Sequence, residues 1–421
     1  MKEAKFVHSI DQRSDFAVRK PTFRDGRRAS LIKSNSENFV RLDLILLNRT
    51  QLAAGFGSRG FPRMQTQVLS EPPSTKAESA TPAAPRIAVV VNGNARSVNA
   101  EVISTLDRIL AGGDLFVSRR LSDVREIAKT ILGRGYSTVL TGGGDGTFTV
   151  VVTAVIKEAR RQGAPIPRFG LLKLGTGNAL AWVVGATSSG VRGLSADIER
   201  LQADAGSRAM HLVEVEDQLA PFCGFGADAQ LLADYDKTKS LLLKTPLRGV
   251  ASGPVSYGLA AATRTIPSSI FLPMPHVLVT NIGDTVHRLG PKGSRVGTPL
   301  AYGDTIYEGP ARIVALSTIP YWGFGFRAFP YANERVDRMQ LRVSSIKAGP
   351  FLRNFKSIWR GEFESSDCIF DYLVSAVRIE IDPPSPFQIG GDFVGIRDKV
   401  EAALTEEPIR LVDFYAPPSA T

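Results

Sequence analysis

Between residues 86 and about 206, short apolar runs alternate with stretches whose apolar positions recur at helical spacing. The runs are Ile87 to Val91, Leu115 to Val117, Thr138 to Leu140 and Phe169 to Leu174. Between them, 99–111, 121–133 and 147–161 carry the three-to-four residue period of amphipathic helices. Strand and helix alternating in this way predict an α/β domain on a mostly parallel sheet. From about Met210 onward the rhythm changes. Leu212 to Val215, His276 to Thr280, Ala311 to Leu316, Met339 to Val343 and Val377 to Ile381 are β-rich runs punctuated by Gly and Pro, and they predict a largely β second domain. Residues Phe351, Leu352, Phe355, Ile358 and Trp359 share one helical face, with Arg353, Lys356 and Arg360 on others. That spacing predicts an amphipathic helix packed on the core.

Two glycine-rich turns interrupt the pattern at matching places. Thr141-Gly142-Gly143-Gly144-Asp145-Gly146-Thr147 follows the third run and opens a helix. Gly175-Thr176-Gly177-Asn178-Ala179-Leu180-Ala181 follows the fourth and opens another. Glycine lets backbone approach a bulky anion, and a helix N-terminus offers it unpaired N–H groups. Two such turns at the ends of neighbouring parallel strands fit a nucleotide phosphate. Asp145 would repel a bare phosphate, so it implies a metal ion or a proton to be removed. Neither the dinucleotide-binding G-x-G-x-x-G nor the Walker pattern fits these residues. A side chain at Gly144 is expected to block the phosphate and to meet an unusual backbone angle.

The chain at this point resembles the diacylglycerol kinase catalytic domain family, which includes bacterial lipid kinases and sphingosine kinases. The paired glycine motifs carry the resemblance. Val89-Val90-Val91-Asn92, Gly224-Phe225-Gly226-Ala227-Asp228-Ala229 and Pro330-Tyr331-Ala332 resemble further landmarks. The resemblance implies a phosphofructokinase-like α/β domain over 86–207, a β-sandwich acceptor domain over 208–405, and a C-terminal segment, 406–421, that returns to the first domain through Ile409 to Phe414. It implies an ATP-dependent kinase of a lipid hydroxyl, on diacylglycerol, a sphingoid base or a related lipid, with magnesium. Asp145 would then accept the hydroxyl proton or hold the magnesium shell, unless it is a helix-capping acid. Asp392 would assist, unless it is a turn residue. Asn92, Gly142, Gly143, Gly144, Gly146, Thr147, Gly175, Thr176, Gly177 and Asn178 would bind the nucleotide, and Asp228 would face the acceptor. Two departures stand out. Where the family has Asp-Gly-Glu, this chain has Gly390-Gly391-Asp392, and Arg335-Val336-Asp337 replaces a bacterial Asp-Asp-Gly. The magnesium ligands are therefore not assigned. Two alternatives remain open: a small-molecule kinase of the NAD kinase type, whose Asn-Glu motif is absent in the expected region, and a catalytically degenerate protein that binds nucleotide or lipid.

Composition changes the picture in three ways. A net charge of +10 in 421 residues calls for an anionic partner. No nucleic-acid signature accompanies it, so a peripheral contact with an anionic membrane surface is expected. Lysines around Leu241 to Leu243, in residues 236–248, suit such a surface or a helix packed on the β domain. No apolar stretch reaches the about 18 residues of a membrane span, and the mixed charges of Lys2, Glu3, Lys5 and Asp11 do not resemble a secretory signal. Cys223 and Cys368 suggest buried thiols rather than a disulfide framework, so a cytoplasmic location is expected. Residues 1–85 form a basic extension ending in a Pro/Ala-rich linker. Monomer and homodimer are both open.

Overall fold

The structure is a computed structural model that describes residues 86–416, except 96, 111–113, 176, 188–189, 203–204, 243–258, 260–262 and 264–271. The expectations for residues 1–85, Thr176, Leu243, Arg248 and the last five residues lie outside the described residues.

The first half alternates as its pattern predicts: β1 (Ile87–Asn92), α1 (Ala100–Ile109), β2 (Leu115–Ser118), α2 (Leu121–Gly133), β3 (Thr138–Gly143), α3 (Asp145–Gln162), β4 (Arg168–Lys173), α4 (Ala179–Val184), α5 (Val191–Gln202) and β5 (Ser207–Met210). β1 and β3 are almost wholly buried, as strands covered on both faces must be. In α2 the buried residues are Val124, Ala128 and Ile131, one stripe at four- and three-residue steps. Helix α3 buries Phe148, Val151, Val152, Val155, Ile156 and Ala159 and stops at Gly163, which takes the left-handed conformation at φ 63°.

The second half is β6 (Val213–Val215), β7 (Gln218–Ala220), β8 (Phe222–Gly226), α6 (Ala227–Leu242), β9 (His276–Asn281), β10 (Val286–Leu289), β11 (Arg295–Leu300), β12 (Thr305–Pro310), β13 (Ile313–Ser317), β14 (Met339–Ser344), α7 (Ala348–Arg353), α8 (Phe355–Trp359), β15 (Ile369–Val374), β16 (Ala376–Ile389), β17 (Asp392–Leu404) and β18 (Ile409–Val412).

Hydrogen bonding sorts these strands into two sheets. The first has six strands in the order β2-β1-β3-β4-β18-β5, parallel from β2 to β18, with β5 antiparallel at the edge. The second is antiparallel and has twelve strands, with β9 and β12 branching from β16. Each sheet has its own apolar cluster. The last strand, β18, leaves the second sheet and inserts between β4 and β5 of the first. Helix α6 packs on β8, β16 and β17, with Leu241 exposed at its end.

One expectation changes. The helix expected around 351–359 is two short pieces, α7 and α8, divided at Asn354 (φ −103°, ψ 12°). Ile358 alone of its five apolar residues is buried, and Leu352 and Phe355 are 68% and 45% exposed. The shared face predicted from spacing exists, but little of it is covered.

Because β18 lies inside the first sheet with Leu411 fully buried, Leu411→Ala is expected to cost about 2–5 kcal/mol of stability. Urea unfolding measures it. An unchanged midpoint would mean that β18 is not part of the core.

Candidate active site

The order of the first sheet locates a crevice. From β1 the chain passes through α1 to β2 on one side, then through α2 to β3 on the other side of β1. At such a switch point two connections diverge and leave a cleft at the carboxyl ends of the strands, where open α/β sheets bind ligands. Asn92 ends β1 and Gly142-Gly143 end β3, so both lie there. The Asn92 Nδ2 donates to Thr147 Oγ1 across the crevice (3.2 Å), while its Oδ1 accepts from Asn94 N–H (2.9 Å).

The two glycine turns touch backbone to backbone. A Cβ on Gly175 would stand 2.2 Å from Gly144 Cα and 2.5 Å from Gly144 N. Gly143 is equally constrained, since a Cβ there would lie 2.3 Å from Thr147 Oγ1, and one on Gly142 would lie 2.6 Å from Val91 Cγ1. Gly144 is different. Its backbone is extended (φ −98°, ψ −171°), and a Cβ would meet nothing nearer than 3.6 Å. The unusual angle expected at Gly144 is therefore absent. Among the described residues of the two turns, Asn178 is the left-handed one (φ 48°, ψ 50°). Its Oδ1 accepts from Gly175 N–H (3.0 Å) and its Nδ2 donates to the Gly175 carbonyl. Asn178 thus spends its amide on the shape of the turn.

Asp145 fastens the two turns together. It begins α3, yet its carboxylate reaches the start of α4, where Oδ2 accepts from Ala179 N–H (2.8 Å) and Oδ1 from Leu180 N–H (3.0 Å). It caps a helix, but the neighbouring one. Asp145 is 7% exposed. Burial pushes its carboxyl above the usual carboxylate range, against the opposing pull of the Leu180 and Ala179 N–H groups.

Asp392 arrives from the second sheet. Ile389 pairs with Asp392 across a two-residue loop, Gly390-Gly391, with φ of 58° and 85°. Positive φ at both positions is what a type I′ hairpin requires. The turn is anchored by Gly390 N–H to the Phe222 carbonyl (2.9 Å) and Gly391 N–H to Gln388 Oε1 (2.9 Å). It lays the Asp392 carboxylate on the first turn of α3: a Cβ on Gly146 would lie 2.1 Å from Asp392 Oδ2. Gly146 therefore supplies room for that carboxylate. Beside the turn, Thr149 Oγ1 and Gln388 Nε2 are buried without a hydrogen-bond partner among the described residues, which is where proteins hold ordered water.

Sequence motifs did not single out Arg119 and Arg120. With Ile103, Val117 and Asp123 they line an open cleft of about 570 Å³ past the end of β2. Gly93, after β1, lies against Arg119, where a Cβ would be 3.1 Å from Cγ. Asp123 accepts from the N–H groups of both arginines (2.9 Å each), which hold its carboxyl below the usual range. The available signal was positional: two cations follow a strand of the parallel sheet directly. Asp228 falls in the first turn of α6, and its side chain lies outside the described residues. Arg335 and Asp337 form an exposed ion pair with each other. No group of three or more metal-binding side chains occurs among the described residues.

Comparison with known proteins fits this geometry. Residues 86–214, which include both glycine turns, match the diacylglycerol kinase catalytic domain. That matched stretch is less than half of the 421-residue chain. Diacylglycerol kinase theta of Mus musculus and of Rattus norvegicus are each 33% identical over 24% of this chain, a stretch that spans 13% of their own length. Among solved structures, a candidate diacylglycerol kinase from Bacillus anthracis str. Sterne is similar with a TM-score of 0.53 at 14% identity, covering 80% of this chain and 98% of its own. A further diacylglycerol kinase structure from the same organism gives 0.50 at 13%, covering 78% and 97%. These structures extend the likeness in fold well beyond the matched domain.

Two outcomes follow from the geometry. Gly175→Ala is expected to weaken ATP binding by about tenfold or more, about 1.4 kcal/mol, because the new methyl forces the turns apart, whereas Gly133→Ala, with open space at the end of α2, should bind as wild type. Calorimetry with MgATP compares them, and equal affinities would place the phosphates elsewhere. The second concerns Asp145. Its carboxyl pKa is raised in the native state, so the native state holds the proton more tightly than the unfolded chain. That contribution is complete below the unfolded carboxylate pKa and declines as pH rises through the native value. Melting temperatures of wild type and Asp145→Asn across pH 4–8 should show wild type losing ground as pH rises. A parallel pair of curves would contradict it.

Proposed function

We propose that this protein transfers the γ-phosphate of ATP to a hydroxyl of a lipid such as diacylglycerol or a sphingoid base. The observation that carries this reading is the pair of glycine turns, in backbone contact at the switch-point crevice and fastened by Asp145. A cradle of backbone bordered by two helix N-termini suits a nucleotide phosphate, and two carboxylates at its edge suit phosphoryl transfer to an alcohol. The match to the diacylglycerol kinase catalytic domain supports a lipid alcohol as acceptor.

The contacts support the following roles. Gly142, Gly143, Gly144 and Gly146 bring the backbone close to the β- and γ-phosphates. Asn92 and Thr147 hold the crevice at its other wall and face the nucleotide, with Arg119 and Arg120 beyond them to meet its negative charge. Gly175, Gly177 and Asn178 belong to the second turn, in which Asn178 sets the backbone, and with Thr176 they are assigned to the nucleotide. Asp145, with both oxygens engaged by α4, positions the cradle. Asp392 is exposed at the first turn of α3 and takes the proton of the acceptor hydroxyl. Magnesium supplies neutralisation of phosphate charge when it arrives with ATP. Asp145 and Asp392 are the carboxylates that would hold it, directly or through water, which suits an ion that keeps most of its waters. Asp228, at the start of α6, faces the acceptor.

No helix among the described residues is long and apolar enough to cross a membrane. With a net charge of +10, the protein meets its substrate by peripheral contact with an anionic bilayer surface.

A radiolabelled ATP assay over a panel of lipid alcohols tests the reading. Product should form with wild type, and Asp392→Ala should lower turnover by about 10²–10⁴ with ATP affinity retained, the pattern of a lost proton acceptor. Asp392→Glu should keep activity. Undiminished turnover in Asp392→Ala would remove Asp392 from the chemistry. No product on any lipid would overturn the kinase reading.

A further inference from the structure

The surface formed by α7 and α8 combines exposed apolar side chains with clustered positive charge. Leu352, Phe355 and, on the neighbouring loop, Phe324 are 68%, 45% and 61% exposed. Between Lys347 and Gly361 there are four basic residues, Lys347, Arg353, Lys356 and Arg360, and no acid. All four basic residues are exposed. Arg360 has a loose contact with Glu362 at 4.0 Å, and the other three have no ion pair among the described residues. An ordinary surface helix mixes its charges and turns its leucines inward. This one presents Leu352 and Phe355 outward among cations.

The face is also joined to the glycine turns. Phe355 packs near Phe351 and Trp359 (ring centroids 5.8 and 5.5 Å), and Trp359 stacks on Phe326 (5.1 Å, 15° between planes). The Arg327 N–H donates to the Trp359 carbonyl (3.0 Å). Two residues before Phe326, the Phe324 N–H donates to the carbonyl of Gly177 (3.1 Å), inside the second glycine turn. Trp182, 44% exposed on α4, packs against Gly325 and carries Lys173 over its ring at 4.9 Å. Rings from Phe355 through Trp359 to Phe326, and then the backbone of residues 324–326, thus lead from α7–α8 to the second glycine turn.

We infer that α7–α8 and the loop carrying Phe324 are the face with which the protein docks on an anionic phospholipid bilayer, an inference that rests on the lipid-kinase reading for its purpose but not for its test. The cations meet acidic headgroups, and Leu352, Phe355 and Phe324 enter the boundary between headgroup and acyl chain. Charge complementarity selects this occupant, because a run of cations, three of the four without an ion pair among the described residues, around apolar side chains matches acidic headgroups over an acyl layer. The consequence is positional. A lipid hydroxyl at the bilayer surface lies beside the second glycine turn, so the acceptor reaches the γ-phosphate while its chains stay in the membrane.

The experiment is co-sedimentation of the full 421-residue chain with phosphatidylcholine vesicles, with and without phosphatidylserine. Wild type should bind the anionic vesicles, less so as salt rises. Leu352→Asp with Phe355→Asp should weaken binding by about tenfold or more, since each loses the insertion of a large apolar side chain. Arg353→Glu with Lys356→Glu should abolish the preference for phosphatidylserine. Both pairs alter exposed side chains, so melting temperature should stay at the wild-type value. Turnover on a short-chain diacylglycerol dispersed as monomers should be unchanged, while turnover on vesicle-borne diacylglycerol falls with binding. Wild-type binding retained in the Asp pair would overturn the inference, as would a wild type that ignores anionic vesicles. If the Asp pair instead dissociates a dimer in analytical ultracentrifugation, with vesicle binding intact, the face belongs to self-association and the inference fails. Should wild type phosphorylate no lipid yet bind vesicles through this face, the lipid-kinase reading fails and the docking surface stands.

Discussion

Everything at the site depends on the backbone contact between Gly144 and Gly175. β3 and β4 are adjacent parallel strands, so their ends emerge about 4.8 Å apart. Each turns at once into a helix, α3 after β3 and α4 after a turn of a few residues. Two helix N-termini are thereby brought together, and their partial positive charges oppose each other. Asp145 answers this by setting a carboxylate from one helix on the N–H groups of the other. It satisfies two orphan donors of α4 and leaves those of α3 as the ones nearest the crevice. Glycine at 175 is needed because any Cβ would occupy the space of the Gly144 backbone. The cradle is thus a packing solution first, and the phosphate role we propose for it would follow from that packing.

The Gly390-Gly391-Asp392 segment shows how one constraint explains a departure in sequence. An Asp-Gly-Glu pattern would put a non-glycine residue first in the loop. Here the β16–β17 connection is two residues long and both take positive φ, where glycine is the low-strain choice. A Cβ on Gly390 would also stand 2.2 Å from Thr149 Oγ1 on α3. The hairpin therefore lies against α3 too closely for a side chain at that point. The acid that follows begins the next strand, and the missing side chain of Gly146 gives its carboxylate a place. The first acid of that pattern is missing where a side chain has no room, and the acid that follows is the shorter Asp392.

The strands and helices of the first sheet were legible because their pattern is local. Val89, Val90 and Val91 are buried from both faces, and α2 and α3 carry one apolar stripe each. The two glycine turns were legible because each motif names a strand end and a helix start. The bond between Asp145 and α4 was not, since it joins residues 34 and 35 apart in sequence and nothing near Asp145 distinguishes a cap of its own helix from a cap of the next. The α7–α8 segment failed for a related reason. Periodicity states which side chains share a face, and Phe351, Leu352, Phe355 and Trp359 do lie on one aromatic-rich surface. It does not state whether another element covers that face, which is a property of the whole fold.

The two sheets are tied at several separate places, and this limits how the site can close. The chain passes between them twice, side by side: Thr405 N–H donates to the Leu212 carbonyl (2.9 Å), and Leu212 N–H donates to Thr405 Oγ1 (3.1 Å). Further along, α3 itself is gripped by the second sheet, through Leu219 N–H to Thr153 Oγ1 (2.9 Å) at its middle and the Gly390 turn against Thr149 nearer its start. A rotation of one sheet on the other about the crossing at 212 and 405 would break these contacts on α3 and pull Asp392 from its first turn. Rigid attachment of this kind favours a preorganised geometry, in which the Asp392 carboxylate is held on the first turn of α3.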